Sequence, residues 1–282
     1  MTSPQSSLDA ERVSVTVADG VAQVRLDRPE KMNALDGRMF RAIVDAGDAV
    51  AADRAVRSVV LSGAGRSFCA GLDLSAFAAM ADGGTPDADG ASSGGSIVDR
   101  LPGRPSNLFQ EVAHVWHALP QPVVAALHGH VLGGGLQIAL GADIRIAAPD
   151  ATLSVMEVRW GLLPDMTGPQ TLVRLVGLDV AKELVFTGRR ISGRDALALG
   201  LVTHVDDDPL AAATALATEV AGRNPEAVQG AKALLNAAGT RPLEESLVDE
   251  SRRMEALIGS PNQVEAVTAE MEGRPPVFDD GA

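Results

Sequence analysis

The chain has 282 residues, 46% of them hydrophobic, enough to bury a substantial core in one large domain or a domain with an appendage. A formal net charge of −13, with no Lys/Arg block to offset it, argues against nucleic acid or an anionic membrane as partner. The N-terminal residues lack a signal-peptide pattern, no apolar run is long enough to span a bilayer, and a single cysteine excludes an internal disulfide, so a cytoplasmic protein is expected.

Residues 12–27, RVSVTVADGVAQVRLD, alternate apolar and polar positions around Asp19-Gly20, which predicts a β-hairpin. Asp36 is placed to cap a helix whose apolar residues Met39, Phe40, Ile43, Val44 and Val50 recur at helical spacing. VRSVVLSG at 56–63 reads as a buried strand, and Cys69, between Phe68 and Ala70, as a buried, inert thiol. Residues 81–105 are rich in Gly, Asp, Ser and Pro and are expected to form a mobile loop.

Helical spacing resumes from Asn107 to Leu119. A strand at PVVAALHG, a glycine cluster, a short apolar helix and a strand at DIRIAA follow. This alternation predicts the α/β class. Beyond about residue 208 the strands stop, and PLAAATALATEVAGR, PEAVQGAKALLNAAG and PLEESLVDESRRMEALIG each begin at proline and carry helical periodicity. The expected division is a core over 1–205 and a helical region over 206–282.

HGHVLGGGLQIAL, residues 128–140, runs a strand into three glycines that open a helix. The first amides of a helix have no partners within it and favour negative charge, so this segment can stabilise an oxyanion; a tight turn built for packing is the alternative. GRSFCAGLDLS at 65–75 follows the first buried strand with similar crowding of small residues. Two donors from separate loops would complete an oxyanion hole.

The pieces LDRPEKMNAL (26–35), SFCAGLDL (67–74), HGHVLGGGLQIALGADIRIAA (128–148) and MEVRWGLLPDMTG (156–168) together resemble the crotonase, or enoyl-CoA hydratase/isomerase, superfamily. The resemblance implies a spiral of ββα units with a helical C-terminal trimerisation region, assembled as a homotrimer or a dimer of trimers. It implies a coenzyme A thioester as substrate, with coenzyme A part of that substrate and no permanently bound cofactor. The thioester oxygen would accept from the backbone amides of Leu72 and Gly134. Substrate and coenzyme A contacts are implied at Met32, Ala34, Ala70, Asp73, Leu74, Val131, Gly133 and Gln137. Arg28 and Lys31, and more remotely Arg274, would supply charge near the phosphates.

Glu157 and Asp165 then acquire a purpose, because an α-proton held beside an oxyanion hole needs a carboxylate to take it. Hydratases of the family use two glutamates, and the first of these positions is Gln137, whose amide cannot accept a proton at neutral pH. The spacing EVRWGLLPD over 157–165 is closest to dienoyl-CoA isomerase-like members, although those also carry an acid at the position of Gln137. Double-bond isomerisation, of a dienoyl or a 3-enoyl thioester, is therefore the expected reaction. Hydration with an atypical Gln137, an aspartate nucleophile as in aryl-CoA dehalogenases, and a catalytically silent acyl-CoA binder are the alternatives. In the last, Asp165 would cap a helix and Glu157 would pair with Arg159 or Arg174. The histidine pairs His128/His130 and His114/His117 lack further ligands, so no metal is predicted. Trp116 and Trp160 are candidates for the core or for an acyl pocket.

Overall fold

The computed structural model describes residues 12–76 and 97–279. Strands β1 (Val13–Ala18) and β2 (Val21–Leu26) form the antiparallel hairpin. Asp19 (φ 51°) and Gly20 (φ 77°) both take the left-handed conformation that a tight two-residue hairpin turn requires. Helix α1 (Gly37–Ala52) starts where Asp36 accepts a hydrogen bond from the Met39 amide at 2.8 Å, and it buries the apolar stripe anticipated above. Strand β3 (Ser58–Gly63) then joins β2 in parallel.

Residues 81–96 of the anticipated loop lie outside the described residues. Its remaining part, up to 105, is held by Arg104, which bridges Asp48 of α1 and Glu111. Glu111 belongs to α2 (Leu108–Ala118), opened by a capping box of Asn107 and Gln110. Next come β4 (Val123–Leu127), β5 (His130–Leu132), α3 (Gly134–Leu140), β6 (Ile144–Ala147) and β7 (Thr152–Ser154). A 3-10 turn over Glu157–Trp160 leads to α4 (Gly168–Val176), α5 (Leu178–Thr187), β8 (Ile191–Ser192), α6 (Gly193–Ala198) and β9 (His204–Val205). The remainder is helical: α7 (Pro209–Ala221), α8 (Pro225–Ala237), α9 (Leu243–Leu257) and α10 (Pro261–Glu272).

One sheet has the order β1-β2-β3-β4-β6-β9, parallel except for the hairpin; a second, smaller sheet has the order β5-β7-β8. Because side chains alternate along a strand, Val59 and Leu61 of β3 enter the main core while Val60 faces the opposite side. On that side α7 packs through Ala213, Ala217 and Ala221 against Val60, Val124 and Ile146. Alanines at this seam let the helix approach the sheet closely, and the larger core with Phe40, Phe68 and Trp116 fills the other face. The two sheets meet where Cys69 bridges Val131, which brings the exit of β3 beside the start of α3.

Candidate active site

The cleft forms where three chain segments converge, and a buried asparagine holds two of them together. Asn33 has φ 55° and is fully buried. Its amide nitrogen donates to the carbonyls of Ala64 (2.9 Å), Ser67 (2.8 Å) and Phe68 (3.0 Å), and its oxygen accepts from the Arg28 amide at 2.8 Å. The loop after β2 is thereby fastened to the loop after β3. Cys69, beneath this junction, has its thiol pushed up to about 12 by burial and donates to the Asn33 carbonyl at 3.0 Å.

Gly71 brings the second loop against β5. With φ 88°, it would place a Cβ only 2.7 Å from the Leu132 carbonyl and 3.8 Å from the Gly134 amide nitrogen, so a side chain there would force the two loops apart. The neighbouring bonds run from Leu35 N to Gly71 O and from Asp73 N to Leu35 O, which leaves the Leu72 amide without a backbone acceptor among the described residues. Gly134 begins α3, so its amide has no partner within the helix. Both residues line one cleft of about 1340 Å³.

Two carboxyls reach the same cleft. Glu157 stands at the start of the 3-10 turn, close enough to Gly133 that a Cβ there would lie 3.3 Å from Glu157 Oε1. Burial raises its pKa above the ordinary carboxyl value, bonds from its own backbone amide and from Gln137 oppose the rise, and the charge of Asp165 adds to it. Asp165 also lines the cleft; the residue as a whole is exposed, yet burial raises the pKa of its carboxyl against a bond from its own backbone amide. Asp165 does not cap α4, whose N-cap Thr167 has no side-chain cap bond. The hydrogen-bond partner of Glu157 is Gln137, not an arginine.

Gln137 is almost fully buried, at 1% exposure. Its nitrogen donates to Glu157 Oε1 at 2.6 Å, while its oxygen accepts from the amides of Met166 (2.9 Å) and Gly168 (3.3 Å). Gly168 is needed there, because a Cβ would stand 2.6 Å from Gln137 Oε1.

Lys31, Met32, Ala34, Ala70, Asp73, Leu74 and Gly133 all line the cleft, Lys31 exposed at its edge and Leu74 71% exposed. Arg28 does not line it. Its guanidinium is bound to Asp73 (2.7 Å), to the Ala34 carbonyl (3.0 Å) and to Asp36 (3.4 Å), so the cation expected near phosphates instead braces the loop. Burial opposes ionisation of Asp73, but bonds from the Ser75 amide and hydroxyl and from Arg28 outweigh it and hold the carboxyl below the usual range. Val131, expected as a substrate contact, is fully buried in the main core, because its strand neighbours His130 and Leu132 take the cleft-facing side. Arg274 lies away from the cleft lining and pairs with Glu265 (2.6 and 2.9 Å) and Glu272 (2.6 Å).

Trp116 is core and Trp160 lines the cleft. His130, Arg100 and Arg190 also line it and were not singled out from sequence as ligand contacts; nothing in a single sequence marks a lone basic residue in a short strand or loop as cleft-facing. Among the described residues no group of three or more His, Cys, Asp or Glu side chains could hold a metal ion, and no helix is long and apolar enough to cross a membrane.

A mixed sheet with a small second sheet, a helical tail, and one cleft lined by Leu72, Gly134, Glu157 and Asp165 define a class of fold and site that known proteins share. The family profile for enoyl-CoA hydratase/isomerase matches residues 16–281. The bovine enoyl-CoA hydratase domain-containing protein 2, mitochondrial, is 38% identical over 224 residues, covering 77% of this chain and 70% of that one. The crystal structure of an enoyl-CoA hydratase from Bacillus anthracis superposes with a TM-score of 0.82 at 30% identity, over 96% of this chain and 100% of that one. One from Polaromonas sp. JS666 gives 0.82 at 28% identity, over 95% and 99%. The chain belongs to the enoyl-CoA hydratase/isomerase family, within the crotonase superfamily that its motifs resemble.

Proposed function

We propose that the protein binds an unsaturated acyl-CoA thioester, stabilises its enolate between the amides of Leu72 and Gly134, and moves the double bond using Glu157 and Asp165. In this reading one carboxylate takes a proton from the carbon next to the thioester. The electron pair shifts along the conjugated system as negative charge gathers on the thioester oxygen, and a carboxylic acid returns a proton to a more distant carbon. The proton taken is matched by one delivered, and a proton exchange between the two carboxyls, through solvent in the cleft, restores the starting state. Lys31, Met32, Ala34, Ala70, Asp73 and Leu74 would line the path of the coenzyme A portion, and copies of the chain would associate through the helical tail.

The observation that carries isomerisation is the pairing of Glu157 and Asp165 in one cleft, both with raised pKa, beside a Gln137 that has no proton to exchange. Several relatives are named hydratases, which favours hydration as the second reading. Purified protein given a 3,5-dienoyl-CoA should form the strongly absorbing 2,4-dienoyl product, and Asp165→Asn should lower the rate by about 10²-fold or more while thioester binding persists. Hydration of a 2-enoyl-CoA without any dienoyl turnover would replace the isomerase reading by the hydratase one. Normal dienoyl turnover by Asp165→Asn would remove Asp165 from the mechanism.

A further inference from the structure

The two oxygens of Glu157 have different surroundings. Oε1 accepts from Gln137 Nε2 at 2.6 Å, whereas Oε2 is buried and has no hydrogen-bond partner among the described residues. The orientation of Gln137 is fixed by its other end. Met166 N and Gly168 N can only donate, so the group that meets them must be the amide oxygen, and the amide nitrogen is necessarily turned to Glu157. At 1% exposure, and packed so closely that position 168 tolerates no side chain, Gln137 has little room for another arrangement.

We infer that Gln137 is a positioning residue for Glu157: it reserves Oε1 as a hydrogen-bond acceptor and directs protonation of the carboxyl to Oε2. A proton on Oε1 would compete with the donor already aimed at that atom, while an ionised Oε2 would be a buried acceptor without a donor. Both effects direct protonation to the same atom. Burial and the charge of Asp165 favour the protonated form of Glu157, whereas its own backbone amide and the Gln137 bond favour the ionised one. The inference rests on the acid/base role proposed for Glu157, but the hold itself is a property of the unliganded protein and is measured separately.

The first test uses the unmodified chain labelled with 13C at glutamate carboxyls and 15N at glutamine side chains, with Glu157→Gln identifying the Glu157 signal. The Gln137 side-chain amide resonances should shift with the same pH midpoint as the Glu157 carboxyl carbon. Independent titration of the two would overturn the inference. The second test uses Gln137→Met, which removes the donor, and Gln137→Glu, which keeps an oxygen for the Met166 and Gly168 amides but sets a second carboxyl against Oε1. In both, the Glu157 midpoint should rise, more in Gln137→Glu, where two carboxyls compete for one proton.

In Gln137→Met the exchange of thioester α-protons with D2O should lose about 10²-fold in kcat with KM changed less than threefold. An unmoved Glu157 titration in a folded variant, or wild-type kcat in a folded Gln137→Met, would overturn the assignment. Gln137→Met risks misfolding because two amides lose their acceptor; Gln137→Glu and the wild-type titration keep the question decidable. If the wild-type protein exchanges and turns over no acyl-CoA, the proposed function fails, and the titrations still decide whether Gln137 holds Glu157.

Discussion

A carboxyl buried in a cleft is a liability to the fold, and Glu157 allows that liability to be measured. Its folded pKa is raised above 4.5, chiefly by burial. Well below that value the carboxyl is protonated in both the folded and unfolded chain and has no differential effect. As pH climbs from the ordinary carboxyl range through the raised folded value, the unfolded chain ionises freely while the folded protein resists, so stability is lost across that window. Glu157→Gln cannot ionise and still offers an oxygen to Gln137. It should therefore unfold at a higher temperature than wild type at pH 7 to 8, and at the same temperature near pH 4, when the two are compared by calorimetry without ligand. An equal advantage at both pH values would mean that packing, not charge, explains it. The eight-residue spacing of Glu157 and Asp165 and the glycines at 133–135 were legible in the chain, because they lie in short contiguous motifs. The hold of Gln137 on Glu157 was not, because its oxygen is fixed by amides 29 and 31 residues further on. Arg28 misled for the same reason: its partners Asp36 and Asp73 are brought to it only by the folded loop.

At the scale of elements, the signals that succeeded were those repeated over several residues. The hairpin, α1, β3, β4 and the proline-started helices each carry a pattern long enough to set a period. Strands β7, β8 and β9 span two or three residues each and β5 three, too short to show alternation, so their existence depends on the neighbours they pair with. Helix α8 illustrates how the tail is fastened to this core. Lys232 is 8% exposed, and its ammonium bonds to Asp143 (2.8 Å) and to the carbonyls of Gln121 (2.9 Å) and Trp116 (3.2 Å). Asp143 also accepts from the Val123 amide at 2.7 Å, so one ion pair joins α8 to the end of α2, the start of β4 and the turn before β6. Replacing the cation strands two carbonyls and a carboxylate, although Val123 still serves the latter. Lys232→Met should cost about 3 kcal/mol in denaturant unfolding, the lower end for a broken buried pair. A loss below about 0.5 kcal/mol, as for an exposed pair, would show that the junction contributes little.

For the molecule as a whole, the distribution of apolar surface sets a problem that one chain does not solve. Helix α9 buries none of its residues, and Leu243 (73% exposed), Leu247 (50%), Val248 (44%) and Met254 (58%) face solvent, with Ile258 (71%) just beyond its end. Leu243, Leu247, Val248 and Ser251 line one shallow groove at the i, i+4 spacing of a single helical stripe. A helix of this length gains little from its own propensity and depends on tertiary packing. A net charge of −13 works against association, so an apolar contact between copies would have to outweigh the repulsion, and raising salt should strengthen it by screening. Light scattering on the purified chain should accordingly give three or six times the 29.1 kDa chain mass in about 0.15 M salt. Leu247→Asp combined with Met254→Asp places two charges in the stripe and should shift the mass to that of a single chain or leave an unfolded tail detectable by proteolysis. A monomeric wild-type protein at micromolar concentration would show that α9 is not an association surface, and a multimer untouched by the double substitution would place the contact on another face of the helical tail.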